Sequence, residues 1–214
     1  MQNKIDLQQY SHLLIDLDDT IYPQDNGLWT LIGDRINHFL IEVMHFPAHM
    51  VPDLRHRLWA EYGTTLRGLQ AEYSVDMDYY LDYVHDIPVE TILSPDPNID
   101  RLLQLFPQKK VIFTNASAAH AHRVLKILGV QNHFECILDI YAIAPYCKPQ
   151  EEAFQKALQR VNTPPQNCLL VDDSPANLDT AQSLGMGTIS VGKHHHQASA
   201  HIENILQLNE VFYT

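Results

Sequence analysis

The sequence predicts an α/β protein: a doubly wound parallel sheet with an all-helical segment inserted after its first strand. Three observations predict it. From about Leu93 onward, short apolar runs alternate with helix-spaced segments, the pattern of a parallel sheet with right-handed crossovers. Between Tyr22 and about Thr91 the apolar spacing is helical and no run looks like a strand. Ahead of both, HLLIDLDDTIY (His12 to Tyr22) is an apolar run that ends in Asp16, Asp18 and Asp19. Carboxylates at the mouth of a sheet repel one another unless a cation or a bound group belongs there.

The elements follow in order. Leu13 to Asp16 forms the first strand, and Pro23, Asp25, Asn26 and Gly27 a polar turn. Leu28, Leu31, Ile32, Ile36, Phe39, Leu40 and Val43 recur at helix spacing until Pro47 breaks the run. A second helix carries Leu54, Leu58 and Trp59 and stops at Gly63; Thr64 to His85 offers one or two more. SPDPN (Ser94 to Asn98) links to a helix with Asn98 as its cap, and this helix ends at Pro107. Val111 to Thr114 is a strand, Ser117 caps the next helix, and Gly129 closes it. Cys136 to Ile140 is a strand, and Pro149 suits the first turn of the helix carrying Phe154, Leu158 and Val161. Cys168 to Val171 is a strand, Ser174-Pro175 opens a helix ended by Gly185, and Thr188 to Val191 is the last strand. Ile202 to Leu208 reads as a final helix. The expected division is a core of residues 1–22 and 93–214 around a helical insert of residues 23–92.

Composition narrows the function. The 214 residues allow one sizeable core plus a smaller insert, and 45% hydrophobic residues fit a soluble globular chain. A net charge of -12 repels phosphate backbones and argues against nucleic acid as a partner. The N-terminus has no basic region leading into a long apolar run, so no signal peptide is expected, and no stretch approaches membrane-spanning length. Cys136, Cys147 and Cys168 are too few and wrongly spaced for a disulfide framework or a zinc site, which points to a reducing cytoplasm.

In open α/β sheets, ligands bind beyond the carboxyl ends of the strands. Four clusters fall at or near such ends: Asp16 with Asp18, Thr114 with Asn115, Lys148, and Asp172 with Asp173. Carboxylates for a hard cation, a lysine, and donors beside a helix N-terminus suit a phosphoryl group with Mg2+. Asp19 and Thr20 are read as turn residues. Asn177 either orients the last loop or lies on helix surface. His194 to His196 read as a solvated loop, Cys147 as a small buried residue, and most of the tyrosines from Tyr73 to Tyr83, with Trp29 and Trp59, as core of the insert rather than base-stacking groups.

The ordered set DLDDT, TNAS, KP and DDSPAN resembles the haloacid dehalogenase (HAD) superfamily over nearly the whole chain. The resemblance implies a Rossmann-like core with a helical cap, and it implies roles. Asp16 is the nucleophile and Asp18 the general acid and base. Thr114, with backbone N–H groups near Asn115 and Ala116, holds the phosphoryl oxygens. Lys148 neutralises nucleophile and phosphate. Asp16, the Asp18 carbonyl, Asp173 and Asp172 hold Mg2+, Asp172 directly or through water. Paired aspartates in the last motif argue against dehalogenation. HDIPVETILSPDPNIDRLLQLF, with DLDDTIYP and FTNAS, is most similar to the pyrimidine 5′-nucleotidase branch. That implies hydrolysis of nucleoside monophosphates such as UMP or CMP, with closure of the cap about hinges at Pro23 to Gly27 and Ser94 to Pro97; the chain is expected to act as a monomer or homodimer. A phosphatase or phosphomutase for another small metabolite, such as phosphoglycolate or a sugar phosphate, is the alternative; a non-catalytic binding protein on this fold is a further one.

Overall fold

The computed structural model describes residues 4–213; residues 1–3 and 214, which fall in the two expected core segments, lie outside them. Six strands form one sheet in the order β3-β2-β1-β4-β5-β6, and every pairing is parallel. β1 (His12–Ile15) is central, flanked by β2 (Lys109–Phe113) and β4 (Cys168–Asp172). β3 is Phe134–Leu138, β5 Gly187–Val191 and β6 Ala200–Ile202. β1 is buried along its whole length because helices cover both faces of the sheet. Leu13 and Ile15 point into the larger apolar cluster, with α6 (Pro97–Gln104) and α7 (Ala118–Leu128). Leu14 points the other way, to α8 (Glu151–Val161) and α9 (Pro175–Ser183).

Between β1 and α6 the chain is helical among the described residues: α1 (Leu28–His38), α2 (Val51–Tyr62), α3 (Thr65–Tyr73), α4 (Met77–His85) and the short α5 (Val89–Ile92). α1 runs on into a π-helical stretch, Phe39–Val43, before the chain reverses ahead of Pro47. Phe39 is the hub here, with ring centroids of Tyr80 and Tyr83 at 5.0 and 5.3 Å. α2 and α3 meet at Gly68, where a Cβ would fall 2.6 Å from Leu58 Cδ2. The turn between them needs Gly63, which has φ +86 and lies so close to Cys147 that a Cβ would sit 2.8 Å from its Sγ.

Several expectations shift. Asp96, not Asn98, caps α6: its carboxylate accepts from the Asn98 N–H at 2.8 Å. β3 starts and ends two residues early, because Asp139 turns the chain by accepting from the Ala118 and Ala142 N–H groups. Pro149 precedes α8, whose N-cap is the extended Gln150; the Gln150 side chain instead closes the loop by accepting from Cys147 N–H at 3.0 Å. The tail is a short strand, β6, followed by a 3-10 helix (Ile205–Val211). His195 is buried between solvent-exposed neighbours, with Nε2 3.2 Å from Asp179 of α9. All three cysteines are free, and Cys147 is buried as expected. Among the described residues no helix is long and apolar enough to cross a membrane.

Candidate active site

Asp16 leaves the carboxyl end of β1, its N–H bonded to the Val171 carbonyl at 2.9 Å. Asp172 ends β4, the neighbouring strand, and Asp173 follows it. The parallel register therefore delivers these carboxylates to one edge of the sheet. One oxygen each of Asp16, Asp172 and Asp173 lie within 4.8 Å of one another. Lys148 reaches into this cluster while only 2% exposed, with Nζ 2.8 Å from Asp16 Oδ1 and 2.7 Å from Asp172 Oδ2. Asp172 is fully buried and also accepts from the Ser174 N–H and twice from Asn177 Nδ2. Asn177 is thus an orienting residue rather than helix surface.

Charge in this cluster is unbalanced. Burial drives the Asp16 pKa well up; Lys148 pulls it down, and Asp172 and Asp173 push it up again. Asp173 is raised to about 7, first by burial and then by Asp172. Asp19 is raised to about 6 by burial and by Asp18. The Lys148 pKa rises although burial opposes it, because two carboxylates hold its proton. Three clustered carboxylates against one ammonium leave room for another positive charge.

The second strand's cluster has a different arrangement from the one expected. Asn115 and Lys148 exchange two hydrogen bonds, Asn115 Nδ2 to the Lys148 carbonyl at 2.9 Å and Lys148 N–H to Asn115 Oδ1 at 2.8 Å. The amide side chain therefore fixes the lysine's loop. The Ala116 N–H, expected to face a phosphoryl oxygen, donates to Thr114 Oγ1 at 3.0 Å. Ser117 caps α7 as expected, accepting from the His120 N–H.

Asp18 brings in residues that the sequence reading passed over. Its Oδ1 accepts from the Tyr22 hydroxyl at 2.5 Å and lies 3.1 Å from His120 Nε2. Burial alone would raise the Asp18 pKa, but His120 and Tyr22 outweigh it and hold the carboxyl below its usual value. His85, the last residue of α4, stacks on His120 with ring centroids 4.3 Å apart. Tyr22 had a signal, one helical turn beyond Asp18 in the opening stretch. His120 had a weaker one, in the first turn of a helix capped by Ser117. His85 was marked only as the first residue of the HDIPVETIL stretch, with no role attached to it. Asp19 takes a left-handed turn, φ 58, and its buried Oδ1 has no hydrogen-bond partner.

Above these residues lies a cavity of about 600 Å3. Asp16, Asp18, Thr114, Lys148 and Asp173 form its polar end, and α1, α2 and α4 supply the rest, including Trp29, Arg55, Trp59 and Tyr80. Trp29 and Trp59 are half exposed, so they are cavity wall rather than core of the insert; Tyr73 and Tyr79 are also exposed, and Tyr80 is buried. Arg55 is fixed by the Gly33 carbonyl and Asn37 Oδ1 at 3.0 and 2.7 Å. Arg67 of α3 donates to the Ile140 and Tyr146 carbonyls, both at 2.9 Å, joining the insert to the loop after β3.

A parallel sheet with a carboxylate–lysine cluster at its carboxyl edge, beneath a helical insert, defines a Rossmann-like class of α/β protein. The chain belongs to the haloacid dehalogenase-like hydrolases, whose family model matches residues 10–185, the family that the motifs had indicated. It is 28% identical to phosphate metabolism protein 8 of Saccharomyces cerevisiae over 81% of its own length, and spans 59% of that yeast protein. It is 24% identical to an uncharacterized Haemophilus influenzae protein over 85% of this chain and 91% of the other. Among solved structures it resembles the HAD hydrolase YfnB of Bacillus subtilis, bound to magnesium, with TM-score 0.64 and 17% identity over 96% of this chain and 100% of that one. A predicted phosphoglycolate phosphatase from Haemophilus somnus gives TM-score 0.64 and 19% identity over 95% and 98%. At these identities the structural likeness speaks for the fold.

Proposed function

We propose that the protein is a magnesium-dependent phosphatase that hydrolyses nucleoside 5′-monophosphates of the UMP and CMP kind through an aspartyl-phosphate. The observation that carries the reading is the buried Lys148 bridging Asp16 and Asp172 beside Asp173, at the polar end of a cavity that Asp18 also lines. Asp16 Oδ attacks phosphorus as the bond to the leaving oxygen breaks. Asp18, whose carboxyl is held below its usual pKa in the free protein, takes up a proton as the anionic phosphate binds beside it, gives that proton to the leaving oxygen, then takes one from the water that attacks the phosphoryl group on Asp16. Lys148 offsets the negative charge of nucleophile and phosphate, and Thr114 donates to a phosphoryl oxygen.

The donor set fits Mg2+: hard carboxylate oxygens, and pKa values pushed up by a surplus of negative charge. Asp16, Asp173 and the Asp18 carbonyl would hold the ion. Asp172, whose oxygens already accept four hydrogen bonds, better suits a role through water. When bound, the cation neutralises the approach of an anionic nucleophile to an anionic phosphate.

The insert, residues 23–92, is read as the cap and residues 1–22 and 93–214 as the core. A nucleotide is favoured over phosphoglycolate because the cavity extends well past the carboxylates to Trp29 and Trp59, flat surfaces suited to a base. The pyrimidine 5′-nucleotidase resemblance supports the nucleotide, and the name of the yeast relative, phosphate metabolism protein 8, supports phosphate chemistry in general. The test is phosphate release from UMP, CMP, AMP, phosphoglycolate and hexose phosphates, with Mg2+ and with a chelator. UMP and CMP should turn over fastest, and only with Mg2+. A preference for hexose phosphate rejects the nucleotide, and silence across the panel rejects the phosphatase.

A further inference from the structure

We propose that His120 and Tyr22 are positioning residues for Asp18, and that His85 of the helical insert backs His120 in that role. The inference rests on Asp18 being the acid and base of the reaction proposed above. Two donors converge on a single oxygen. The Tyr22 hydroxyl lies 2.5 Å and His120 Nε2 3.1 Å from Asp18 Oδ1. A carboxylate accepts, so His120 presents Nε2–H to it. The His120 side chain is fully buried and cannot exchange this bond for water.

Convergence on one oxygen sorts the two oxygens by task. Oδ1 is held and cannot be protonated without losing a donor. Oδ2 takes neither bond, which leaves it as the oxygen that carries the moving proton. In the first half-reaction the P–O bond to the leaving group breaks, its electron pair stays on the leaving oxygen, and the Oδ2 proton joins it. In the second, water oxygen bonds phosphorus, the Asp16–phosphorus bond breaks, and the water proton returns to Oδ2. The donors at Oδ1 hold the plane of the carboxyl group through both.

The anchor also joins the two parts of the molecule. His120 stands in the first turn of α7, whose cap, Ser117, is 3.3 Å from His85 Nδ1. The His85 ring lies nearly parallel to that of His120, at 13°, and lines the cavity with Asp18. Arg123, also on α7, donates to the His85 carbonyl and pairs with Glu90 of α5. The end of α4 is therefore fastened to the helix that holds the acid.

The experiment compares kcat/KM, which reports the steps up to departure of the leaving group, for two kinds of substrate. One is the fastest alkyl phosphate among UMP, phosphoglycolate and glycerol 3-phosphate, whose alkoxide needs a proton to leave. The other is 4-nitrophenyl phosphate, whose leaving anion does not. Tyr22→Phe removes only a hydroxyl, and His120→Gln keeps a donor where His120→Ala removes it. Tyr22→Phe and His120→Ala should lower kcat/KM for the alkyl phosphate about ten-fold or more and for 4-nitrophenyl phosphate under about three-fold. His120→Gln should recover much of the loss, and His85→Ala should show the same substrate-selective pattern more weakly. Equal losses on both substrates, or no loss in Tyr22→Phe, overturn this inference alone. No turnover of any substrate by the unsubstituted protein overturns it together with the phosphatase reading.

Discussion

Lys148 and Asp16 meet at 2.8 Å across 132 residues of chain, in a site where the lysine is almost wholly enclosed. Asp172 holds the same ammonium from the other side. Removing the lysine leaves buried carboxylates facing each other without compensation. Lys148→Met should cost about 3–5 kcal/mol of stability in denaturant melts, and should lower phosphate release about 10²–10³-fold or more. Full activity in this variant would reject the charge-neutralising role.

Asp16→Asn separates chemistry from fold. The carboxylate stands in an environment that raises its pKa, so its anion gains little from the folded state. An amide keeps the shape. Phosphate release should fall below detection while the circular dichroism spectrum and the melting midpoint stay close to those of the unsubstituted protein. Substantial residual turnover would remove Asp16 as nucleophile.

Stability without metal should fall as pH rises. Asp173 is raised from 3.8 to about 7 and Asp19 from 3.8 to about 6. Between these limits the folded state keeps protons that the unfolded chain has released, so stability is present below about pH 4 and lost toward pH 7. Thermal melts in chelator should show midpoints declining across this window. Mg2+ should restore stability most at the alkaline end, and Asp173→Asn should flatten the decline. A midpoint that rises with pH in chelator would contradict the crowding of carboxylates.

The cavity wall gives a substrate-specific prediction. Trp59→Ala and Trp29→Ala should weaken UMP by about 1–3 kcal/mol, the range for base–aromatic stacking, and leave phosphoglycolate turnover nearly unchanged. Equal effects on both would show that the tryptophans support the fold rather than the base.

Gly68→Ala tests the packing of the insert itself. The new methyl would fall 2.6 Å from Leu58 Cδ2 and 2.8 Å from Leu58 Cβ. Overpacking of this kind should cost about 1–3 kcal/mol, read as a lower melting midpoint.

The fold was legible because the sheet is simple. Apolar runs such as Leu13 to Ile15 and Cys168 to Val171 are strands buried on both faces, and Ser117, Gly129 and Ser174 punctuate their helices. β6 was missed because only Ala200 and Ile202 are buried in it, too short a pattern to read. The residues of the acid cluster were legible as types at strand ends. Their side-chain bonding was not: Asn115 turns to the backbone of Lys148, in a loop about 30 residues away, and the Ala116 N–H folds back on Thr114 within its own loop. Tyr22 and His120 reach Asp18 from two segments and His85 stacks on His120 from a third, and no spacing in one dimension encodes such a meeting. Tryptophans at helical spacing looked like core because periodicity reports a helix face, not what that face covers.

The strand order has a consequence for how the molecule is made. β1 is formed early in the chain, yet both its neighbours come much later, β2 about 95 residues on and β4 about 155. A ribosome therefore releases the His12–Ile15 segment, buried throughout and apolar from Leu13 to Ile15, and then the entire insert, long before either partner strand exists. Contacts of such sequence separation form slowly, and an apolar strand with two open edges is prone to pair with other chains meanwhile. The insert can gather around Phe39 in that interval, but the central strand must wait. Synthesis of this protein should therefore depend more on chaperones and temperature than its helical content suggests, and its carboxylate–lysine cluster should be among the last features to appear.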